Sequence, residues 1–257
     1  MRIASWNVNS LRVRLGQVTD WLAAERPAVL GLQETKVVDA DFPFEALAGA
    51  GYRAHAVGQK TYNGVALLVR DDLEATGVAT SLPDAPDGQA RYVAATVAGT
   101  RVINVYVPNG SEVGSDKYAY KLAWLEALRD HVVQEIARHP RLLLCGDFNI
   151  APADLDLYDA EGWRDQILCS DAERAALQRL LEGGLTDLYR SRDAETPGFS
   201  WWDYRQGAFR RDRGIRIDLL LASAALVADC VDCRVDRAPR GLERPSDHAP
   251  VVADFGG

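Results

Sequence analysis

Asn7, Glu34, Tyr106, Asp147, Asn149, Asp218 and His248 are the side chains from which chemistry could be built. Asn7 follows the apolar run Ile3-Ala4-Ser5-Trp6, Glu34 follows Val29-Leu30-Gly31-Leu32-Gln33, and Tyr106 follows Val102-Ile103-Asn104-Val105. Asp147 and Asn149 follow Leu142-Leu143-Leu144-Cys145-Gly146, while Asp218 lies between Ile217 and Leu219. Ser246-Asp247-His248 precedes the last apolar run. Polar residues delivered by strand ends to one edge of a rigid sheet are a common construction of α/β enzyme sites. The set holds carboxylates, amides, one imidazole and one phenol, and hard oxygen donors suit Mg²⁺, or Mn²⁺ in its place, better than zinc. The reaction such groups perform is in-line attack of water on a phosphodiester. A cation neutralises phosphate charge, a carboxylate takes the proton from water, and a histidine braces a non-bridging oxygen.

Each residue alone has a plainer reading. An Asp after a strand commonly caps a turn, Asn7 could cap a helix, and Tyr106 could be a half-buried strand aromatic. Asp218 is harder to dismiss, because a carboxylate inside an apolar strand needs a partner, and His248 is the candidate. Ser246-Asp247-His248 is no serine-hydrolase triad, since neighbours in sequence do not form that geometry and the chain has no G-x-S-x-G elbow. Cys230-Val231-Asp232-Cys233 has CxxC spacing, but strand alternation is expected to turn its thiols to opposite faces, and no second pair completes a zinc site.

The elements that must position these groups are legible as periodic runs. Residues 2–6, 28–32, 65–69, 102–107, 142–144, 217–221 and 251–253 read as strands. Leu11, Leu15, Val18 and Leu22 recur at helical spacing, with Asn9 or Ser10 expected as the cap and Pro27 as the stop. Leu122, Leu125, Leu128, Val132 and Ile136 mark a second helix ending before Pro140, and residues 171–181 a third, closed by Gly183-Gly184. Several strands follow one another through short turns at Gly64, residues 83–88 and Gly99, which predicts mixed or antiparallel sheets with helices outside rather than a doubly wound fold. No linker, repeat or low-complexity segment interrupts residues 1–257, so a single domain is expected.

Apolar residues make up 47% of the 257 and charged residues 26%, as in ordinary globular proteins. The formal charge is −8, from 29 Lys and Arg against 37 Asp and Glu, an unpromising sum for a nucleic-acid partner. The distribution is uneven: residues 154–173 carry seven acids against Arg164, and residues 205–216 five arginines against Asp212. A basic face can therefore sit on an acidic protein. No apolar run approaches the ~18 residues of a membrane span, the N-terminus has no apolar targeting segment, and Cys145, Cys169, Cys230 and Cys233 are expected to be reduced thiols of a cytoplasmic, monomeric protein.

The blocks Trp6-Asn7-Val8-Asn9, Leu32-Gln33-Glu34-Thr35-Lys36, Tyr106-Val107-Pro108-Asn109-Gly110, Gly146-Asp147-Phe148-Asn149-Ile150-Ala151-Pro152, Arg216-Ile217-Asp218 and Ser246-Asp247-His248-Ala249-Pro250 resemble, in order and across nearly the whole chain, the exonuclease III family of apurinic/apyrimidinic (AP) endonucleases. The resemblance implies a four-layer α/β sandwich, two packed mixed β-sheets flanked by helices, of the endonuclease/exonuclease/phosphatase superfamily. It also implies AP endonuclease and 3′→5′ exonuclease activity on double-stranded DNA, at abasic sites or 3′ ends, with removal of 3′-blocking groups. By that resemblance Glu34 is the main metal ligand, with Asn7 beside it and Asp247 near the metal directly or through water. Asp147 orients and deprotonates the attacking water, and Asn149 helps hold water or phosphate. His248, oriented by Asp218, contacts the scissile phosphate, and Tyr106 faces the phosphate or leaving group. Ser10 departs from the Gly usual in the family, and Asn9 stands where some eukaryotic relatives have Asp.

Phe199-Ser200-Trp201-Trp202-Asp203-Tyr204-Arg205 is similar to the family segment that lines an abasic-sugar pocket, with Ile215 and Ile217 expected to flank Trp201. A small apolar pocket accepts a base-less sugar and rejects an intact nucleotide. One of Trp201 and Trp202 is expected in the core, since adjacent strand residues face opposite ways. Lys60, Tyr62, Asn63, Asn109, Lys117, Lys121, Arg205 and the rest of residues 205–216 are the expected DNA contacts. Residues 159–170 follow the catalytic loop and could reach a DNA end, with Trp163 and Leu168 the side chains to watch. The alternative is a phosphatase of the same superfamily acting on a phospholipid or inositol phosphate. It would keep Glu34, Asp147 and His248 but not the Trp201 block and the arginines.

Overall fold

The computed structural model describes residues 1–256, so Gly257 of the expected single domain lies outside the described residues. The chain runs β1 (Arg2–Asn7), α1 (Leu11–Glu25), β2 (Val29–Gln33), α2 (Phe44–Gly49), β3 (Tyr52–Val57), β4 (Val65–Arg70), β5 (Ala75–Ala79), β6 (Tyr92–Val97), β7 (Thr100–Tyr106), α3 (Asp116–Arg138), β8 (Leu142–Asp147), α4 (Asp171–Glu182), β9 (Leu185–Asp187), α5 (Leu188–Arg192), β10 (Asp218–Ser223), α6 (Ala224–Val227), β11 (Cys230–Val235) and β12 (Val251–Phe255). One six-stranded sheet has the order β11-β12-β1-β2-β4-β3 and the other β5-β6-β7-β8-β10-β9.

Alternation within the strands builds four layers. Val65, Leu67 and Val69 of β4 meet Leu143 and Cys145 of β8 in the core between the sheets. Ala66 and Leu68 face the other way, toward Leu11, Val18 and Leu22 of α1. Leu142 and Leu144 face Leu125, Leu128 and Val132 of α3 and Leu177 and Leu180 of α4. Strands buried on both faces read as continuous apolar runs, and each Leu or Val so buried contributes about 1.5–3 kcal/mol.

The sheets share one functional edge. β1 and β2 are parallel, with Asn7 opposite Gln33, and β7 and β8 are parallel, with Tyr106 opposite Asp147. β10 is antiparallel to β8 and places Asp218 at its start opposite Asp147. β12 is antiparallel to β1, with Ser5 opposite Val251, so the residues just before β12 return to the same edge. At Gly146 φ is +145°, and a Cβ would stand 1.9 Å from the carbonyl oxygen of Val105, so only glycine fits beside Asp147.

Three local expectations are corrected. Ser10, at φ 90°, begins α1 without a side-chain cap; the Ser10 and Leu11 amides instead donate to Glu34 O and Thr35 O, at 2.8 and 3.0 Å, tying the helix start to the loop after β2. The CxxC thiols do not face opposite ways, because a bulge between Cys230 and Asp232 shifts the register of β11 and both sulfurs enter the inter-sheet core. Strands β3, β5, β6 and β9 carry no clear sequence pattern; β3 alternates weakly around Arg53 and His55, and Ala94 and Ala95 in β6 carry little β signal. Among the described residues, no helix is long and apolar enough to cross a membrane.

Candidate active site

Glu34, Asp147 and His248 converge, each offering a ligand atom within 4.8 Å of the others. Asn7, fully buried at the end of β1, links the two acids, since its amide donates to Glu34 Oε1 at 3.0 Å and to Asp147 Oδ2 at 2.9 Å. Glu34 reaches the site by a left-handed turn, φ 48°, directly after β2. That turn is pinned where the amides of Thr35 and Lys36 donate to Gly64 O and Asn63 O, at 3.1 and 3.0 Å. Lys36 pairs with Glu34 Oε2 at 2.9 Å and donates to Asn9 Oδ1 at 2.6 Å.

His248 is oriented through a chain of bonds. Its Nδ1 donates to Asp218 Oδ2 at 2.9 Å, and Ser200 Oγ donates to the same oxygen at 2.6 Å. Nε2 faces Asp147 Oδ2 at 3.8 Å. Burial alone would lower the imidazole pKa, but the charges of Asp218 and Asp147 outweigh it and raise the value to about 10. Burial also dominates at Asp147 and, against the pull of His248, pushes its carboxyl up to about 7, with Asp218 and Glu34 adding to the rise. Burial and the negative charges of Glu34 and Asp147 hold the Tyr106 phenol well above its ordinary range.

Asn149, at φ 50°, donates from its backbone N to Asp147 Oδ1 at 2.9 Å and accepts from the Asn109 amide at 3.0 Å. The structure therefore brings together Asn7, Glu34, Tyr106, Asp147, Asn149, Asp218 and His248. Asp247 stands beside this group, with its oxygens taken by Asn9 Nδ2 and Trp201 Nε1, each at 3.0 Å. Opposing bonds and the His248 charge keep its carboxyl low despite burial. The donor set suits a hard divalent cation: two carboxylates crowd one another, and a cation at Glu34 and Asn7 would relieve their repulsion.

The outer residues divide. Tyr62, Asn63, Asn109 and Lys117 line an open cavity of about 500 Å³ that reaches Tyr106, and Lys60 is exposed on the loop before β4. Asn63 is itself buried, with its amide held by Gln59 and Gln89 at 3.0 and 3.1 Å. Lys121 is not a surface contact: it is fully buried against Glu173. Arg216 is likewise interior, paired with Asp156 and Asp187 at 2.6 and 2.8 Å, and Arg205, though exposed, is paired with Asp203 at 2.6 Å. Trp202 is the core tryptophan, 0% exposed, and Trp201 is the half-buried one. Ile215 and Ile217 lie against Trp201, with Ile215 bridging it, but both are buried, together with Leu157 and Leu168. Trp201, Trp163, Tyr158, Arg205 and Arg213 instead line a separate cavity of about 350 Å³.

Two contributors carried no sequence signal. Ser200, beside two tryptophans, accepts from the Asp218 amide at 3.0 Å as well as bracing its carboxylate. Arg91, just before β6, lies 4.8 Å over the Tyr106 ring.

Stacked mixed sheets with these groups at one edge place the protein among the α/β-sandwich hydrolases of phosphate esters. A model of the endonuclease/exonuclease/phosphatase family matches residues 4–248, and the chain belongs to that family. It is 36% identical over 268 residues to the exodeoxyribonuclease III of Haemophilus influenzae, covering 99% of this chain and 100% of that one. It is similar to a 3′ phosphatase from Neisseria, solved bound to a product DNA hairpin, with a TM-score of 0.98, 49% identity and full coverage of both chains. An AP endonuclease from Archaeoglobus fulgidus superposes with a TM-score of 0.96 at 37% identity, again over 100% of each chain.

Proposed function

We propose that the protein, acting as one domain and as a cytoplasmic monomer, is a Mg²⁺-dependent DNA repair phosphodiesterase that incises abasic sites and degrades or cleans 3′ ends of double-stranded DNA. The convergence of Glu34, Asp147 and His248 within 4.8 Å carries this reading. Glu34 and Asn7 would hold the divalent cation, Mg²⁺ or Mn²⁺, which when bound supplies Lewis-acid neutralisation of phosphate charge. Asp147, anchored by Asn7 and Asn149, accepts the proton of the attacking water. His248 presents Nε2–H to a non-bridging phosphate oxygen while Asp218 holds Nδ1. Tyr106 faces the leaving-group side, and Tyr62, Asn109 and Lys117 lie along the cavity that would receive the strand. The test offers an abasic-site duplex, a 3′-recessed duplex and an inositol phosphate, each with Mg²⁺ and with EDTA. Mg²⁺-dependent cutting of DNA alone is expected; release of phosphate from the inositol compound without DNA cleavage would favour the lipid-type alternative.

A further inference from the structure

Lys121 of α3 and Glu173 of α4 form an ion pair with both side chains 0% exposed. Replacing such a pair by apolar groups of similar volume is often neutral or stabilising, so stability alone does not account for it. An ammonium has three protons to give. Those of Lys121 go to Glu173, to Asn109 O at 3.1 Å and to Asn149 O at 2.7 Å. The two carbonyls belong to the loops after β7 and β8, whose asparagine side chains bond each other at 3.0 Å. Asn149 holds the left-handed conformation, a strain of about 1–3 kcal/mol for a non-glycine residue that its surroundings must impose. From there its amide reaches Asp147 Oδ1 at 2.9 Å. Glu173 also accepts from the amides of Leu168 and Ser170, at 3.1 and 3.0 Å, so the same pair anchors the end of residues 159–170.

We propose that Lys121 and Glu173 are positioning residues: a buried clamp that fixes the Asn109–Asn149 amide pair and, through Asn149, the aim of the Asp147 carboxylate. The clamp rests on the phosphodiesterase function proposed above and touches no DNA itself. It acts on turnover, since a misplacement of about 1 Å at a reacting group can cost about a hundredfold in rate.

The test compares wild type, Lys121→Met and the doubly neutral Lys121→Met/Glu173→Gln on a 3′-recessed duplex with Mg²⁺. Both variants should lose about a hundredfold in kcat with KM nearly unchanged. The slope of log binding constant against log salt should stay as in wild type, whereas loss of a phosphate contact would reduce it by about 1. The double variant should regain most of the Tm lost by the single one, because no unpaired buried charge remains, yet stay slow. Should Lys121→Met not fold, Glu173→Gln alone, which keeps an acceptor for the Leu168 and Ser170 amides, carries the same kcat and KM comparison. A double variant restored in both Tm and kcat, or a shallower salt slope with raised KM, would overturn the clamp. A wild type that cuts no DNA with Mg²⁺ would overturn the functional reading beneath it.

Discussion

Burial raises the Asp147 carboxyl, whereas at His248 the charges of Asp218 and Asp147 overcome burial, so both groups titrate above their ordinary values and the pH dependence of turnover follows. Asp147 must be charged to accept a proton, and His248 must be charged to present Nε2–H to the phosphate while Nδ1–H is held by Asp218. Turnover should therefore rise as pH passes the Asp147 value, about 7 before a cation lowers it, and fall as pH passes the His248 value, about 10. Asp218 is the first of the charges that hold the imidazole up, so Asp218→Asn should move the alkaline limb to lower pH; a limb left in place in a kcat-against-pH profile would contradict the pairing. Asp147→Asn and His248→Ala should each lose about a thousandfold or more in kcat while still binding DNA, and near-normal turnover by either would reassign the roles. These residues were legible because their types are costly in or beside apolar runs, as with Asp218 inside β10. Lys121 was not legible for the complementary reason: a lysine on a helix is ordinarily a solvated charge, and nothing in its sequence neighbours shows that Glu173 meets it in the interior.

Strand order decides which side chains can meet. The runs ending at Asn7, Glu34, Tyr106 and Asp147 were readable because strands buried on both faces are apolar throughout, and the polar residue marks where the layer ends. Edge and short strands lacked that mark: β9 has three residues and β5 is mostly exposed. The bulge in β11 also leaves no trace in composition, so strand alternation alone puts the CxxC thiols on the wrong faces. Gly146→Ala tests the closest approach of β7 and β8; with a Cβ 1.9 Å from Val105 O, the variant should unfold at markedly lower temperature and lose activity with it. Arg216, in the turn into β10, joins Asp156 after the catalytic loop to Asp187 of β9. Arg216→Met would remove the ion-pair partner of Asp187 and leave Asp156 with Arg190 alone, and urea unfolding should show a loss of about 3 kcal/mol. A loss under about 1 kcal/mol would mean that the acids relax to solvent.

Over the whole molecule, charge segregation along the chain is only partly segregation in space. Of the residue 205–216 arginines, Arg216 is consumed by interior pairing and Arg205 faces Asp203. In the acid-rich residues 154–173, Asp156 and Glu173 are buried in pairs. The pattern of runs and turns alone reaches mixed sheets with outer helices, and the two-sheet sandwich is implied only by the family resemblance that the six motif blocks carry; the route of DNA is not legible, because it depends on which exposed cations remain unpaired after folding. The central claim is that Glu34, Asn7 and Asp147 assemble a cation-dependent site for phosphodiester hydrolysis. Its most direct test is cleavage of an abasic-site duplex and a 3′-recessed duplex by wild type and Glu34→Gln, with Mg²⁺ and with EDTA. Cutting by wild type that EDTA abolishes, Mg²⁺ restores and Glu34→Gln lacks is the expected result; cutting that persists undiminished in EDTA would contradict the account.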